Sequence, residues 1–323
     1  MHRIGFLISD GFQIMALAAQ SVFEYANMGM DAPFYAMDNY SVDGGDVRSS
    51  LGLPVATRAL RGRLDVDTWI VAGVNDPLAA PAPAPAGVVA YLRRANGRAR
   101  RIAGVCTGAF VLAEAGLLAQ RRATTHWAFG RDMQRHYPEI RVEDDRIFIV
   151  DGPIWTSAGM TAGLDLALAM VEKDLGADVA RSVARKLVMH QRRAGGQSQH
   201  SEMLDLAPKS DRIQSALDYA RRNLGRALTV EELAEAVHLS PRQFSRVFTL
   251  ETGQSPAKAI ERLRLEAARL MIEQSRHPLD VIARENGFRD RRHMREAFVR
   301  GFGVPPQALR RDARTETDAR ETG

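Results

Sequence analysis

Apolar positions along the chain fall into two rhythms. Up to about residue 194, short apolar runs alternate with longer amphipathic ones. Arg3–Ile8 reads as a buried strand, Gln13–Met28 as a helix and Ala32–Met37 as a second strand. Asp38–Arg63 is turn-rich, with Gly44, Gly45 and Gly52. Thr68–Gly73 is an apolar strand ending on glycine, 77–85 an extended Pro/Ala surface loop, and Val88–Ala95 a helix. Arg100–Val105 is a strand and Ala109–Leu118 a helix. Ile147–Val150 and Ile154–Thr156 pair across Asp151-Gly152, and Met160–Leu175 is a long helix. This alternation predicts an α/β domain, a flavodoxin-like parallel sheet with helices on both faces.

Beyond a polar link at 195–210 the period becomes helical and the chain repeats itself. Leu233-Ala234, Phe248, Gly253 and Pro256 recur as Ile282-Ala283, Phe298, Gly303 and Pro306, offset by 49 residues early and 50 later. Each copy predicts two helices and a tight turn. Thr229 with Glu232 forms a helix-opening cap signal, Ser240-Pro241 opens the second helix, and Gly287 and Asp290 do the corresponding work in the second copy. Phe244, Val247, Phe248, Met294, Ala297 and Phe298 turn inward. Arg242, Gln243, Ser245 and Arg246, then Arg291, Arg292, His293, Arg295 and Glu296, are left outward. Arg bonds guanine and Gln bonds adenine in the major groove, so these faces are candidate DNA readers. The spacer 256–275 lacks Gly and spans roughly 30 Å as a helix. Successive groove faces lie about 34 Å apart, so one chain can address both.

Composition sharpens the picture in three places. The formal charge is only +5, yet 240–311 holds 15 Lys/Arg against 8 Asp/Glu, so the basic excess sits with the candidate readers. No apolar run reaches the roughly 18 residues that a membrane span needs, and the first residues enter a strand-like run rather than a secretory signal. A single cysteine excludes an internal disulfide and suits a reducing cytoplasm. Residues 312–323 read as a disordered tail.

The segment 211–311 resembles the DNA-binding domain of AraC-type transcription regulators. Gly287-Phe288, Met294, Phe298, Gly303 and Pro305-Pro306 carry the match. The resemblance implies double-stranded DNA as partner, dimeric binding to repeated half-sites and, for an activator, contact with RNA polymerase.

Gly104-Val105-Cys106-Thr107-Gly108, between a strand and a helix, has the nucleophile-elbow shape with sulfur in place of oxygen. A helix N-terminus beside it favours thiolate. Gly73, ending another strand, brings backbone donors nearby. This region and Ala123-Thr124-Thr125-His126-Trp127 resemble the PfpI/class I amidotransferase-like fold, and the whole chain resembles the GlxA-type subgroup of AraC regulators. Thr156-Ser157-Ala158-Gly159-Met160 and Gly195-Gly196-Gln197-Ser198-Gln199 fit that subgroup too. Hydrolase relatives carry His where Thr107 stands; related isonitrile-hydrating enzymes and many regulators carry a D-L-x-G-P segment where this chain has Ala16-Leu17-Ala18-Ala19-Gln20, so Ala16 replaces its acid. Glu24 lies two turns further along, and His126 remains as a partner for the thiol. Without a positioned base the general-base contribution, roughly 10²–10⁴-fold, is lost.

These readings converge on a regulator rather than an enzyme: a sensing and dimerisation domain at 1–194, a link at 195–210 and a DNA-binding domain at 211–311. Its expected ligand pocket comprises Gly73, Cys106, Thr107, His126, Trp127 and Ser157. The expected partners are DNA and a small-molecule effector, which the resemblance suggests is nitrogenous, of betaine, carnitine or amino-acid type. The protein is expected to be a cytoplasmic homodimer. Trp127 and Trp155 can face a quaternary amine, although core packing is the weightier expectation for both. His136, His190 and His200 lack metal-site spacing, so neither metal nor cofactor is expected. The competing reading is a cysteine-dependent hydrolase or hydratase fused to a DNA-binding module.

Overall fold

Strand β1 (His2–Leu7) lies inside an eight-stranded sheet because it is apolar on both faces, as a strand covered by two helix layers must be. In this computed structural model the described residues are 1–73, 83–189, 193, 195, 199 and 210–311. They fall into two compact units, one running to Gln199 and the other beyond it. Within the first unit β1 pairs in parallel with β2 (Tyr35–Ser41) and β5 (Thr68–Ala72). Strand β5 pairs with β6 (Arg101–Val105), and β6 with β10 (Ile154–Ser157), also in parallel. At the edges, β3 (Gly45–Arg48) runs antiparallel to β4 (Pro54–Ala59), and β9 (Phe148–Asp151) antiparallel to β10. The order is β3-β4-β2-β1-β5-β6-β10-β9.

Helices α1 (Ala19–Asn27), α5 (Met160–Leu175) and α6 (Ala177–Lys186) cover one face through Val22, Phe23, Leu166, Met170 and Val183. Helices α2 (Ala86–Ala95), α3 (Gly108–Glu114) and α4 (Gly130–His136) cover the other through Leu92, Phe110, Leu112 and Met133. At the start of β6, buried Arg101 pairs with buried Asp174 of α5, donates to Thr68 Oγ1 at 2.8 Å and lies over Trp155. That ion pair ties α5 under the sheet, at the opposite end of β6 from Cys106.

Several elements differ from the sequence expectation. The stretch 38–63 contains the end of β2 and the β3–β4 hairpin: positive φ at Gly44 and Gly45 turns the chain from β2 into β3, and Gly52, at φ 79°, lies in the turn that closes the hairpin. Residues Ile14–Ala18 form a 3₁₀ turn and the helix begins only at Ala19. Helix α3 stops at Glu114, ahead of Gly116 at φ 73°. Helix α6 follows a break at Gly176, which the long preceding helix had obscured. Of the expected loop at 77–85, residues 77–82 lie outside the described residues. So do most of the link, the tail, His190 and His200.

The second unit contains α7 (Asp211–Arg222), α8 (Val230–Glu235), α9 (Pro241–Thr252), α10 (Pro256–Gln274), α11 (Leu279–Glu285), α12 (Arg291–Phe302) and a short helix at 306–311. Its two cores share one helix. Ala259, Ile260 and Leu263 of α10 pack with Leu233, Phe244 and Phe248; Leu265, Ala268 and Ile272 of the same helix pack with Ile282, Met294 and Phe298. The 19 residues of α10 span about 28 Å. Arg264, at its middle, donates to the carbonyls of Leu224 and Arg226 at 3.2 and 2.6 Å. A Cβ at Gly287 would fall 2.1 Å from the same Leu224 carbonyl, so the second turn closes against the first subdomain.

Candidate functional site

Cys106 follows β6 and holds φ at 56°, left-handed for a residue with a side chain. Such a conformation costs of order 1–3 kcal/mol and persists where its surroundings impose it. Those surroundings are visible here. The Cys106 N–H donates to the Ser157 carbonyl at 3.1 Å, and its carbonyl accepts from the Thr125 hydroxyl at 2.9 Å. Gly108, next in the turn, has no room for a Cβ, which would lie 2.1 Å from the Val71 carbonyl.

The surroundings of the thiol oppose its ionisation. Burial pushes it above the ordinary thiol range, and the Thr107 backbone N–H and hydroxyl, donating toward the sulfur, offset only part of that. Burial thus works against the thiolate that a neighbouring helix N-terminus would favour. Ala16, where the acid would stand, packs with Ile8, Phe12, Val47 and Ala72, and Glu24 is exposed on α1.

The other expected pocket residues divide. Gly73, Thr107 and Ser157 gather at Cys106. Thr107 is buried against Gly73, and Ser157, opposite Val105 in the sheet, has a buried hydroxyl without a hydrogen-bond partner among the described residues. His126 reaches the same end of the sheet: its ring lies 3.3 Å from where a Cβ on Gly159 would stand. Its Nδ1 accepts the Ala128 N–H at 3.3 Å, which places the proton of the neutral ring on Nε2. Trp127 is 52% exposed with its ring tilted against that of His126, centroids 5.5 Å apart, contrary to the core position expected for it. Trp155 is buried in the α5 core and donates to the Gly152 carbonyl, so the two tryptophans form no common cage.

Two residues not assigned to the pocket organise it. Thr125 is the fully buried link to the Cys106 carbonyl. Gln199 is the anchor behind it. Its amide N–H group lies within hydrogen-bond distance of Thr124 Oγ1 (3.1 Å) and of the Thr125, Asp144 and Arg146 carbonyls (2.8, 2.8 and 3.1 Å). Its side-chain oxygen accepts the Trp127 N–H at 2.9 Å. The Gly-Gly-Gln-Ser-Gln stretch is the signal for it, noted above as a link and as part of the subgroup resemblance. In its described part it is docked: Gly195 is buried and its carbonyl accepts the Phe148 N–H. Gly195 is thus held against β9, where a Cβ would fall 2.6 Å from the Phe148 carbonyl.

In the second unit, Arg242, Arg246, Arg291, Arg292 and Arg295 are exposed on α9 and α12, and Ser245 is half-buried. Gln243 and His293, both expected as readers, close their own helix starts. Gln243 Oε1 accepts from the Ser240 N–H (3.2 Å) in a reciprocal capping box, and His293 Nδ1 accepts the Arg289 N–H (3.3 Å) while packing on Phe288. Asp290 caps α12 by accepting the His293 N–H at 2.7 Å. Among the described residues no helix is long and apolar enough to cross a membrane, and no cluster of His, Cys, Asp and Glu is arranged to hold a metal ion.

Comparison with known proteins agrees with both halves. Residues 41–173 match the model of the DJ-1/PfpI family, and 233–312 that of a helix-turn-helix domain. The chain is 31% identical over 304 residues to the HTH-type transcriptional regulator CdhR of Pseudomonas aeruginosa, covering 93% of this chain and 89% of that protein. It is 30% identical to the HTH-type transcriptional regulator GlxA of Rhizobium meliloti, covering 96% of each. An isonitrile hydratase of Pseudomonas putida is 41% identical over 97 residues, 30% of this chain and 41% of that enzyme. Among solved structures, an AraC family transcriptional regulator from Pseudomonas putida superposes with a TM-score of 0.52 at 21% identity, covering 58% of this chain and all of that one.

Proposed function

This chain belongs to the GlxA-type AraC-family transcription regulators, and from that premise we propose that its amino-terminal unit senses a small metabolite at Cys106 and relays occupancy through Gln199. It is a DNA-binding regulator; the effector, its site and its relay are the proposal. One observation carries it. Gln199, the last described residue before the second unit, is bonded to the same Thr124–Trp127 segment whose Thr125 hydroxyl holds the Cys106 carbonyl. A ligand that displaces Cys106, Thr125 or Trp127 changes the anchor of the chain leading to the DNA reader. A ligand acts only through its different affinity for two states, and a latch that is either made or broken supplies those states.

The amino-terminal unit, in this reading, binds rather than turns over. An apolar cluster occupies the place of the acid, and burial disfavours the thiolate. The resemblance to an isonitrile hydratase keeps a hydratase reading as the alternative. We further propose a cytoplasmic homodimer acting as an activator through RNA polymerase.

The test is fluorescence anisotropy of full-length protein on promoter DNA, with a panel of quaternary-amine and amino-acid compounds whose binding is followed separately by calorimetry. A compound that binds should shift DNA affinity in the wild type. In Gln199→Ala it should still bind and shift nothing. A shift that survives Gln199→Ala sinks the relay. Turnover of an isonitrile or amide that vanishes in Cys106→Ser, with DNA binding intact, would replace sensor by enzyme.

A further inference from the structure

The two reading helices are built to one plan, so their outward positions can be compared one for one. Each is 12 residues long, each is capped by a side-chain oxygen (Ser240, Asp290), and each ends on a left-handed glycine, Gly253 at φ 73° and Gly303 at φ 71°. Phe248 and Phe298 occupy the same core position, 50 residues apart. On that alignment Arg242 matches Arg292, Ser245 matches Arg295, and Arg246 matches Glu296.

The chemistry at those positions is not repeated. In α9, Arg242 and Arg246 stand one turn apart, both exposed, with no ion pair among the described residues. In α12 the same row is a pair: Arg292 Nε lies 3.0 Å from Glu296 Oε1, with side chains 86% and 47% exposed. Arg291 and Arg295 of α12, with no ion pair among the described residues, lie one position round the helix, about 100° away. Val299, 44% exposed, continues the face beyond Glu296.

A carboxylate on a face turned to DNA is repelled by phosphate and by the acceptor edges of guanine and thymine. What it can accept from in the major groove is an exocyclic amine, most simply that of cytosine, which has no acceptor beside it on that edge. Arg292 offsets the negative charge and fixes the carboxylate's direction. We propose that Glu296 is a specificity determinant of the second unit, accepting a hydrogen bond from a cytosine amine, while Arg291 and Arg295 hold the flanking phosphates. This rests on the reading that α9 and α12 face DNA, and it gives the two units different tasks. The α9 face is cationic where the α12 face is selective.

The experiment is selection of full-length protein on a pool of randomised duplexes, comparing wild type, Glu296→Gln and Arg246→Ala, with affinities of the enriched sequences measured across salt concentrations. Thermal melts establish that each variant is folded. Wild type should enrich one C·G pair in the segment facing the second unit. Glu296→Gln should lose that preference, on the order of tenfold in discrimination or a switch toward adenine, with an unchanged salt slope. Arg246→Ala should alter a different position. If Glu296→Gln instead tightens binding to all sequences alike and keeps every preference, the glutamate only neutralises Arg292 and the proposal fails. If wild type shows neither enrichment nor salt dependence, the DNA-facing assignment itself falls, and this inference with it.

Discussion

The two helix–turn units of the second domain share a core pattern and differ at the turn, the cap and the outer face. At the turn the first unit uses His238 at φ 56° and the second Gly287 at φ 71°. Both positions precede the same backbone bond, Leu239 N–H to Ala234 and Phe288 N–H to Ala283, each 2.9 Å. The geometry is therefore common, and the residue differs because of what lies alongside. Only at Gly287 does a carbonyl, that of Leu224, occupy the space a Cβ would need. A repeated unit thus keeps its hydrogen-bond pattern while its neighbours decide which residues it tolerates.

The largest effects should test whether the cores are equivalent. Phe248 and Phe298 are each buried to within 1% in separate cores joined by α10. Truncating either to Ala should cost about 3–5 kcal/mol in urea unfolding. A cost much smaller at one site would break the equivalence.

Next comes the turn. Gly287→Ala should destabilise by about 1–3 kcal/mol or more, since φ strain adds to the clash with Leu224. His238→Gly relieves a left-handed side chain and should be near neutral or stabilising by up to about 1 kcal/mol, read as a rise in melting temperature. Equal losses at both positions would show that the turns are constrained alike.

The caps should separate by pH. Ser240→Ala should cost about 1 kcal/mol at any pH. The Asp290 carboxyl is held below the ordinary range by the backbone N–H of His293, with Arg289 adding to it. A lowered folded-state value means that its contribution is present above the unfolded value, about 3.9, and is lost as pH falls through the folded one. Urea titrations from pH 6 to pH 2 should therefore show a larger loss in wild type than in Asp290→Asn. The same slope in both would remove the cap from the account.

The smallest effect is in salt dependence. Arg242→Ala and Arg291→Ala should each weaken binding and flatten the logarithmic salt slope by about one where the residue contacts phosphate. A base reader should instead relax preference at one position. Unchanged affinity in both would mean that these faces do not meet DNA.

How much of this was legible beforehand depends on whether the cause was local. The two-fold repeat, the Ser240-Pro241 cap and the length of α10 could be read because periodicity, capping and rise per residue are properties of adjacent positions. The Cys106 elbow could be read because Gly104 and Gly108 flank it in the sequence. The state of its thiol could not, since desolvation depends on what closes over it. Gln243 was read as an adenine reader from side-chain type alone, yet it also fits the capping box, and the structure shows it there. The 38–63 stretch was read as turns because its glycines are conspicuous and its edge strands are short and half-exposed.

Local chain chemistry by itself determined the α/β unit, the repeated helical unit, the elbow and the arginine-rich faces, because each is written in spacing along the backbone. Only the folded chain decided that Gln199 is bonded to the segment beside Cys106 and that Trp127 and Trp155 are far apart in environment. Burial and hydrogen-bond partnership across tens of residues are set by packing, and packing is a property of surfaces that meet only once the chain has folded.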